Sequence, residues 1–171
     1  MSLSLISKSE YNVFYQPYID AVKDVGLLEG LKLSGEAVNS FLLSIPIEKH
    51  RYAYAKGKWT IHDVLLHIID TERIFAYRAL RIARGDKTPL AGFEQDDYVI
   101  QACANSRSFE SLLKEYNTVR LTTIMLFESF DAATLLNIGE ASGFPVSVRA
   151  IGYIICGHEK HHIKIIKERY L

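Results

Sequence analysis

The sequence predicts an all-α protein, a four-helix bundle forming one domain over residues 1–171. Three observations carry that expectation. Apolar residues recur in four long segments at the three- and four-residue spacing of a helix face. No segment shows the alternation of a half-buried strand. Pro46, Pro89 and Pro145 fall between the helical segments, and no low-complexity linker divides the chain.

A short helix is expected over Tyr11–Val25, entered or interrupted at Pro17. The first long helix runs from Leu27 to Ser44, with Leu28, Leu31, Val38, Phe41, Leu42 and Ile45 on its apolar side. Gly30 and Gly35 weaken it. The second is the best marked. Thr60 is its N-cap, Asp63 is placed to reach back as in a capping box, and Trp59 and Val64 fit a hydrophobic staple. Ile61, Leu65, Ile68, Phe75, Ala79 and Ile82 form its stripe. Arg81 and Arg84 suit the negative end of the helix dipole, and Gly85 is a natural residue just past the end. The third helix covers Phe109–Phe130, with Leu112, Tyr116, Val119, Thr123 and Leu126 as its stripe. The fourth starts after Ser147, and its stripe reads Ile151, Ile155, His158, His162, Ile165, Arg169. The connections Gly85–Arg107 and Asp131–Val146 are long for a bundle. The first is a candidate crossover that carries the chain back across the molecule and sets the second and third helices parallel.

Twenty basic residues balance twenty acidic ones, with no basic run or tail. That removes the electrostatic case for nucleic acid as a partner. No apolar run approaches the roughly 20 residues of a membrane helix, so no membrane partner is expected. Met1 to Asn12 lacks the charged and apolar regions of a secretory leader. Cys103 and Cys156 form neither a CxxC pair nor a disulfide framework. A cytoplasmic location is the resulting expectation.

The histidines carry the chemistry. His158 and His162 lie four apart, so they point the same way from the middle of an apolar stripe. Two buried imidazoles need partners for their nitrogens. A metal ion satisfies both, and helices commonly present zinc with histidines at this spacing. Two core histidines bonded to ordinary neighbours are the alternative. His67 favours the metal. It lies seven residues past Thr60, about 10 Å along the axis, and His162 lies the same distance before Arg169. If the second and fourth helices are antiparallel neighbours, as the crossover implies, His67 and His162 meet at one height. Three imidazoles leave a coordination position open, as in catalytic rather than closed sites. Cys156 points about 160° away from His158 and is no fourth ligand, which leaves Cys103, in the connection, as the alternative. His62 is expected at the solvent, His161 beside the site or at the surface, and His50 in a solvated connection.

Other polar residues have two readings each. Glu72 sits in the apolar stripe of the second helix, as a general base or as half of a buried ion pair with Arg149 or another arginine. Arg78 shares the face of His67, to bind an anionic substrate or to make a structural salt bridge. Tyr98, in the Gly92–Tyr98 loop, either lines the mouth of the site or packs on the bundle.

The stretches Gly57-Lys-Trp-Thr-Ile-His-Asp-Val-Leu-Leu-His67, Arg78-Ala-Leu-Arg-Ile-Ala-Arg-Gly-Asp86, Gly92-Phe-Glu-Gln-Asp-Asp-Tyr98 and Gly157-His-Glu-Lys-His-His162 resemble the DinB-like superfamily of bacterial four-helix bundles. The similarity runs from about Leu27 to the C-terminus. The resemblance implies up-down-down-up topology and a homodimer. It also implies a divalent metal ion, zinc or nickel, on His67, His158 and His162. The function it implies is a metal-dependent thiol S-transferase or hydrolase acting on a small molecule, with a low-molecular-weight thiol as one partner. Glu72 and Arg78 are then the candidate catalytic residues. A noncatalytic stress-response or dimerisation module with a structural or vestigial metal is the alternative.

Overall fold

The computed structural model describes residues 6–22 and 24–171. Residues 1–5, part of the N-terminus read above for a leader, and residue 23, inside the helix expected over Tyr11–Val25, lie outside them. Among the described residues the elements follow in order as α1 (Gln16–Asp20), α2 (Leu27–Leu43), α3 (Ile61–Ala83), α4 (Gln95–Ala102), α5 (Phe109–Glu128), the strands β1 (Ile138–Ala141) and β2 (Phe144–Ser147), and α6 (Val148–Arg169). None of the helices is long and apolar enough to cross a membrane.

The helix starts follow the local chemistry. Thr60 Oγ1 accepts from the Asp63 amide at 3.2 Å while the Thr60 amide donates to the Asp63 carboxylate at 2.9 Å. This is the expected capping box. Ser108 caps α5 and Ser147 caps α6 in the same sense, each accepting an amide at 3.1 Å. At the far end of α3, Gly85 takes φ +79°, the left-handed conformation that only glycine adopts without strain.

The four long helices form a ring in which α2 packs on α5 and α6, and α3 packs on the same two. Named contacts give the directions. Asp63 meets Asn105 just before α5, and Glu72 meets Arg120 further along both helices, so α3 and α5 run the same way. His67 near the start of α3 meets His158 on α6, and Trp59 just ahead of α3 meets Tyr170 just past α6. Those two helices are antiparallel. The core has two apolar clusters along the bundle. One holds Leu31, Phe75, Ala79, Phe127 and Ile151; the other holds Leu42, Leu65, Ile69, Leu112 and Ile166. Each buried Leu, Ile or Phe among them contributes about 1.5–3 kcal/mol by leaving water.

Between the clusters sits a polar layer. Arg120 donates to Glu72 through Nε and Nη2 at 2.9 and 2.8 Å, and to Glu159 through Nη1 and Nη2 at 2.9 and 2.7 Å. The Tyr116 hydroxyl donates to Glu159 at 2.7 Å.

The long connections are more ordered than the sequence suggested. The crossover contains α4, so Tyr98 stands on a helix rather than in a loop, 48% exposed and edging Phe93. The second connection folds as a hairpin, with Ala141 paired to Phe144. Its turn residues Ser142 and Gly143 both have positive φ, +54° and +79°, the signature of a tight hairpin turn. Four-residue strands are too short for an alternation pattern to register.

Candidate metal centre

Three histidines converge where α3 begins and α6 nears its end. His67 comes from α3; His158 and His162 come from consecutive turns of α6. His158 Nε2 lies 3.0 Å from His67 Nε2 and 3.0 Å from His162 Nε2. All three nitrogens fall within 4.8 Å of one another. His67 and His158 are buried and His162 is half-buried.

Hydrogen bonding alone cannot account for this arrangement. A ring nitrogen offers either one hydrogen or one lone pair, so His158 Nε2 satisfies one neighbour and not two. A shared cation satisfies three lone pairs at once. Zinc–nitrogen bonds of about 2.0–2.1 Å at tetrahedral angles separate the nitrogens by about 3.3 Å, close to the two 3.0 Å separations at His158, and a bound ion would draw His67 and His162 to the same spacing. The donor set therefore fits a divalent ion. Burial holds His67 down to about 4, although the Asp96 carboxylate opposes it. Burial, reinforced by His67 and His161, takes His162 down to about 3. His158 is held well below the ordinary imidazole value by the same burial. The three rings are thus neutral at physiological pH, the form that binds metal.

The surroundings fix the rings. The Trp59 ring lies 4.9 Å from that of His67, and Tyr18 meets His158 edge-on at 5.8 Å. Tyr18 is brought there by α1, which sits on α6 at Gly157. A Cβ at that position would lie 2.2 Å from the Tyr18 carbonyl oxygen, so only glycine permits the approach. On the other side an open cleft of about 850 Å³ reaches His162. Its walls include Tyr54, Lys58, Trp59, Asp63, Asp96 and Tyr170.

Several sequence expectations change here. His62 is 2% exposed, not at the solvent, because its ring packs against Phe109 and His50. His50 is half-buried rather than solvated: it stacks on Phe109 at 3.8 Å and its Nε2 lies 3.1 Å from the Ile45 carbonyl. His161 is exposed. Cys156 is buried beside Ser34, where burial pushes its thiol up to about 12. Glu72 has both carboxylate oxygens engaged by Arg120, whereas Arg149 pairs with Glu10. Arg78 makes no ion pair and lies eleven residues beyond His67, about 16 Å along the helix.

The sequence reading passed over Arg120, Glu159 and Asp96. Arg120 lies one turn past Tyr116 on the stripe of α5, so its burial was readable. Glu159 lies beside that of α6. Asp96 reaches the site only through the fold of α4.

A family model described as the DinB superfamily matches residues 31–166. A curated protein of Oceanobacillus iheyensis, "Putative metal-dependent hydrolase OB0413", is 28% identical over 143 residues, covering 78% of this chain and 75% of its own. YfiT from Bacillus subtilis, described as "a probable metal-dependent hydrolase with an unusual four-helix bundle topology", superposes with a TM-score of 0.73 at 13% identity. That match covers 98% of this chain and 95% of YfiT. The mycothiol-dependent maleylpyruvate isomerase gives a TM-score of 0.67 at 12% identity, covering 86% of this chain and 61% of its own. At such identities these two likenesses concern the fold alone.

Proposed function

The chain belongs to the DinB superfamily, and from that membership we propose that it is a metal-dependent hydrolase of a small molecule, with His67, His158 and His162 as the metal ligands. The convergence of three neutral imidazoles at the inner end of an open cleft carries this reading. Zinc or nickel suits three nitrogen donors. A bound divalent ion supplies Lewis acidity at its open position and lowers the pKa of a water or thiol placed there. The residues of the chain do the rest. Asp96, an acid in the wall of the cleft that reaches His162, is the group placed to take a proton from the attacking group. Trp59, Tyr54 and Tyr170 give the cleft an aromatic wall against which a substrate packs.

Glu72 has no role in proton transfer in this reading, because Arg120 occupies it. Thiol S-transfer with a low-molecular-weight thiol is the second reading. It uses the same ligands and the same open position, and a mycothiol-dependent enzyme of like fold shows that such a bundle can house that chemistry. A homodimer in the cytoplasm belongs to both readings; light scattering and cell fractionation test it.

Elemental analysis of tag-free protein beside His158→Ala is the decisive experiment. About one equivalent of zinc or nickel is expected in the native protein and none in the variant. Absence of metal from both, with no uptake from added salts, overturns the assignment. In the loaded protein, Asp96→Asn should leave metal content unchanged and lower turnover of activated esters by about 10²-fold or more. Full metal content without turnover of esters, amides or thiol acceptors would instead support a noncatalytic module.

A further inference from the structure

Elsewhere in the molecule, the chain buries a charge that it does not balance. Arg78 is 3% exposed on α3. Its Nη2 donates to the Ala91 carbonyl at 2.7 Å and to the Ser142 hydroxyl at 3.1 Å, both neutral acceptors. Its Nε and Nη1 have no hydrogen-bond partner among the described residues, and no carboxylate there lies within ion-pair reach. Residues 1–5 and 23 carry no acidic side chain. Tyr15 is no counter-ion either. Burial pushes its hydroxyl above the ordinary value, with Arg78 opposing, so the ring stays neutral. The other covered guanidiniums differ: buried Arg120 pairs with Glu72 and Glu159, and half-buried Arg149 pairs with Glu10. The Arg78 side chain is thus almost wholly covered, its two partnerless nitrogens keep only a sliver of solvent at the edge of an open surface groove, and a guanidinium this far out of water without an anion is costly to hold.

The surroundings are built for an anion with an apolar body. Beside Arg78 lies a cavity of about 100 Å³, lined by Asn12, Tyr15, Phe75, Ser142, Phe144 and Ile151. The Phe75 and Phe93 rings lie 5.1 and 5.9 Å from the guanidinium carbon and hold its plane. Ser142 keeps φ +54°, a conformation uncommon for a residue with a side chain, and its hydroxyl is spent on Arg78. Such a volume admits a carboxylate with a small apolar group and is too small for a nucleotide.

We propose that Arg78 and this cavity form a second binding site, which takes a small organic carboxylate with an apolar body. It stands about 16 Å along α3 from His67 and does not depend on the metal centre.

Calorimetric titration of the full chain with benzoate, with benzyl alcohol and inorganic phosphate as controls, tests this. Saturable one-site binding of benzoate is expected, at least tenfold tighter than either control, because only benzoate supplies both charge and apolar body. His158→Ala should bind benzoate unchanged. Arg78→Lys should bind about tenfold more weakly, since an ammonium does not replace a stacked guanidinium. In the unaltered protein, amide resonances of Tyr15, Ser142 and Phe144 should move on titration, which locates the site even if the arginine variant fails to fold. No saturable binding below about 10 mM, loss of binding in His158→Ala, or resonance changes confined to the His162 cleft would each overturn the proposal.

Discussion

Single residues set the chemistry of this molecule, and each has a consequence that can be measured. Gly157 lets the backbone of α1 close on α6 behind His158. Gly157→Ala forces a Cβ into the Tyr18 carbonyl and should cost about 1–3 kcal/mol, as overpacking does. Urea denaturation checks that cost. A parallel fall in metal content would show that Tyr18 helps to hold His158. The two cysteines should part cleanly. Cys103 is exposed, while Cys156 is buried with its thiol pushed up to about 12. A thiol reagent at neutral pH should therefore count one cysteine in the native protein and two after denaturation. At this scale the sequence was legible wherever a periodic face exposed its contents. His67, His158 and His162 were found because helix geometry places residues four apart together and cap positions fix height. Asp96 was not, since it reaches the cleft across a gap between elements that no local pattern records. His62 misled because its place in a first turn suggests solvent, whereas Phe109 from a distant helix covers it.

Elements are held together by the polar layer as much as by the apolar clusters. Arg120 ties α5 to Glu72 on α3, to Glu159 on α6, and to the Leu31 carbonyl and Ser34 hydroxyl on α2, each at 3.2 Å. Arg120→Ala leaves two buried carboxylates without their cation and should cost about 3–5 kcal/mol, read from the denaturation midpoint. Adding Glu72→Gln and Glu159→Gln to that variant should recover part of the loss, which separates stranded charge from lost packing. Thr60→Ala should cost about 1 kcal/mol through loss of the cap. The four long helices were legible because they are long, periodic and capped. α4 and the hairpin were not. One has eight residues and is exposed along most of its length, and the other has two strands of four. Neither can generate a burial pattern without the bundle it leans on.

At the scale of the whole molecule, the segment preceding α1 is fastened to the start of α6 by Glu10. Its carboxylate accepts from the Ser147 hydroxyl at 2.8 Å and pairs with Arg149 at 2.5 Å. Burial acts to raise the Glu10 pKa, but Arg149, the Ser7 amide and Ser147 outweigh it, and the net value falls below the ordinary 4.5. The unfolded chain therefore binds the proton more readily. The stability this group contributes is complete above pH 4.5 and is lost as pH falls through the lowered folded value. Glu10→Gln should flatten the dependence of the thermal midpoint on pH in that acid window and lower it at neutral pH.

The ring order of the helices also governs how the chain reaches this state. α2 and α3, consecutive long helices, stand across the ring from each other rather than side by side, and so do α5 and α6, which meet through the polar layer; the side-by-side partners of each are other helices. Loop closure must therefore precede most of the apolar reward. No pair of sequential helices makes a self-sufficient hairpin, and a proteolytic half of the chain should remain unfolded. On the ribosome, α2 and α3 emerge without the surface they need and wait for α5 and α6. Because α6 also brings two of the three histidines, the candidate metal centre is completed only when α6 has docked on α3.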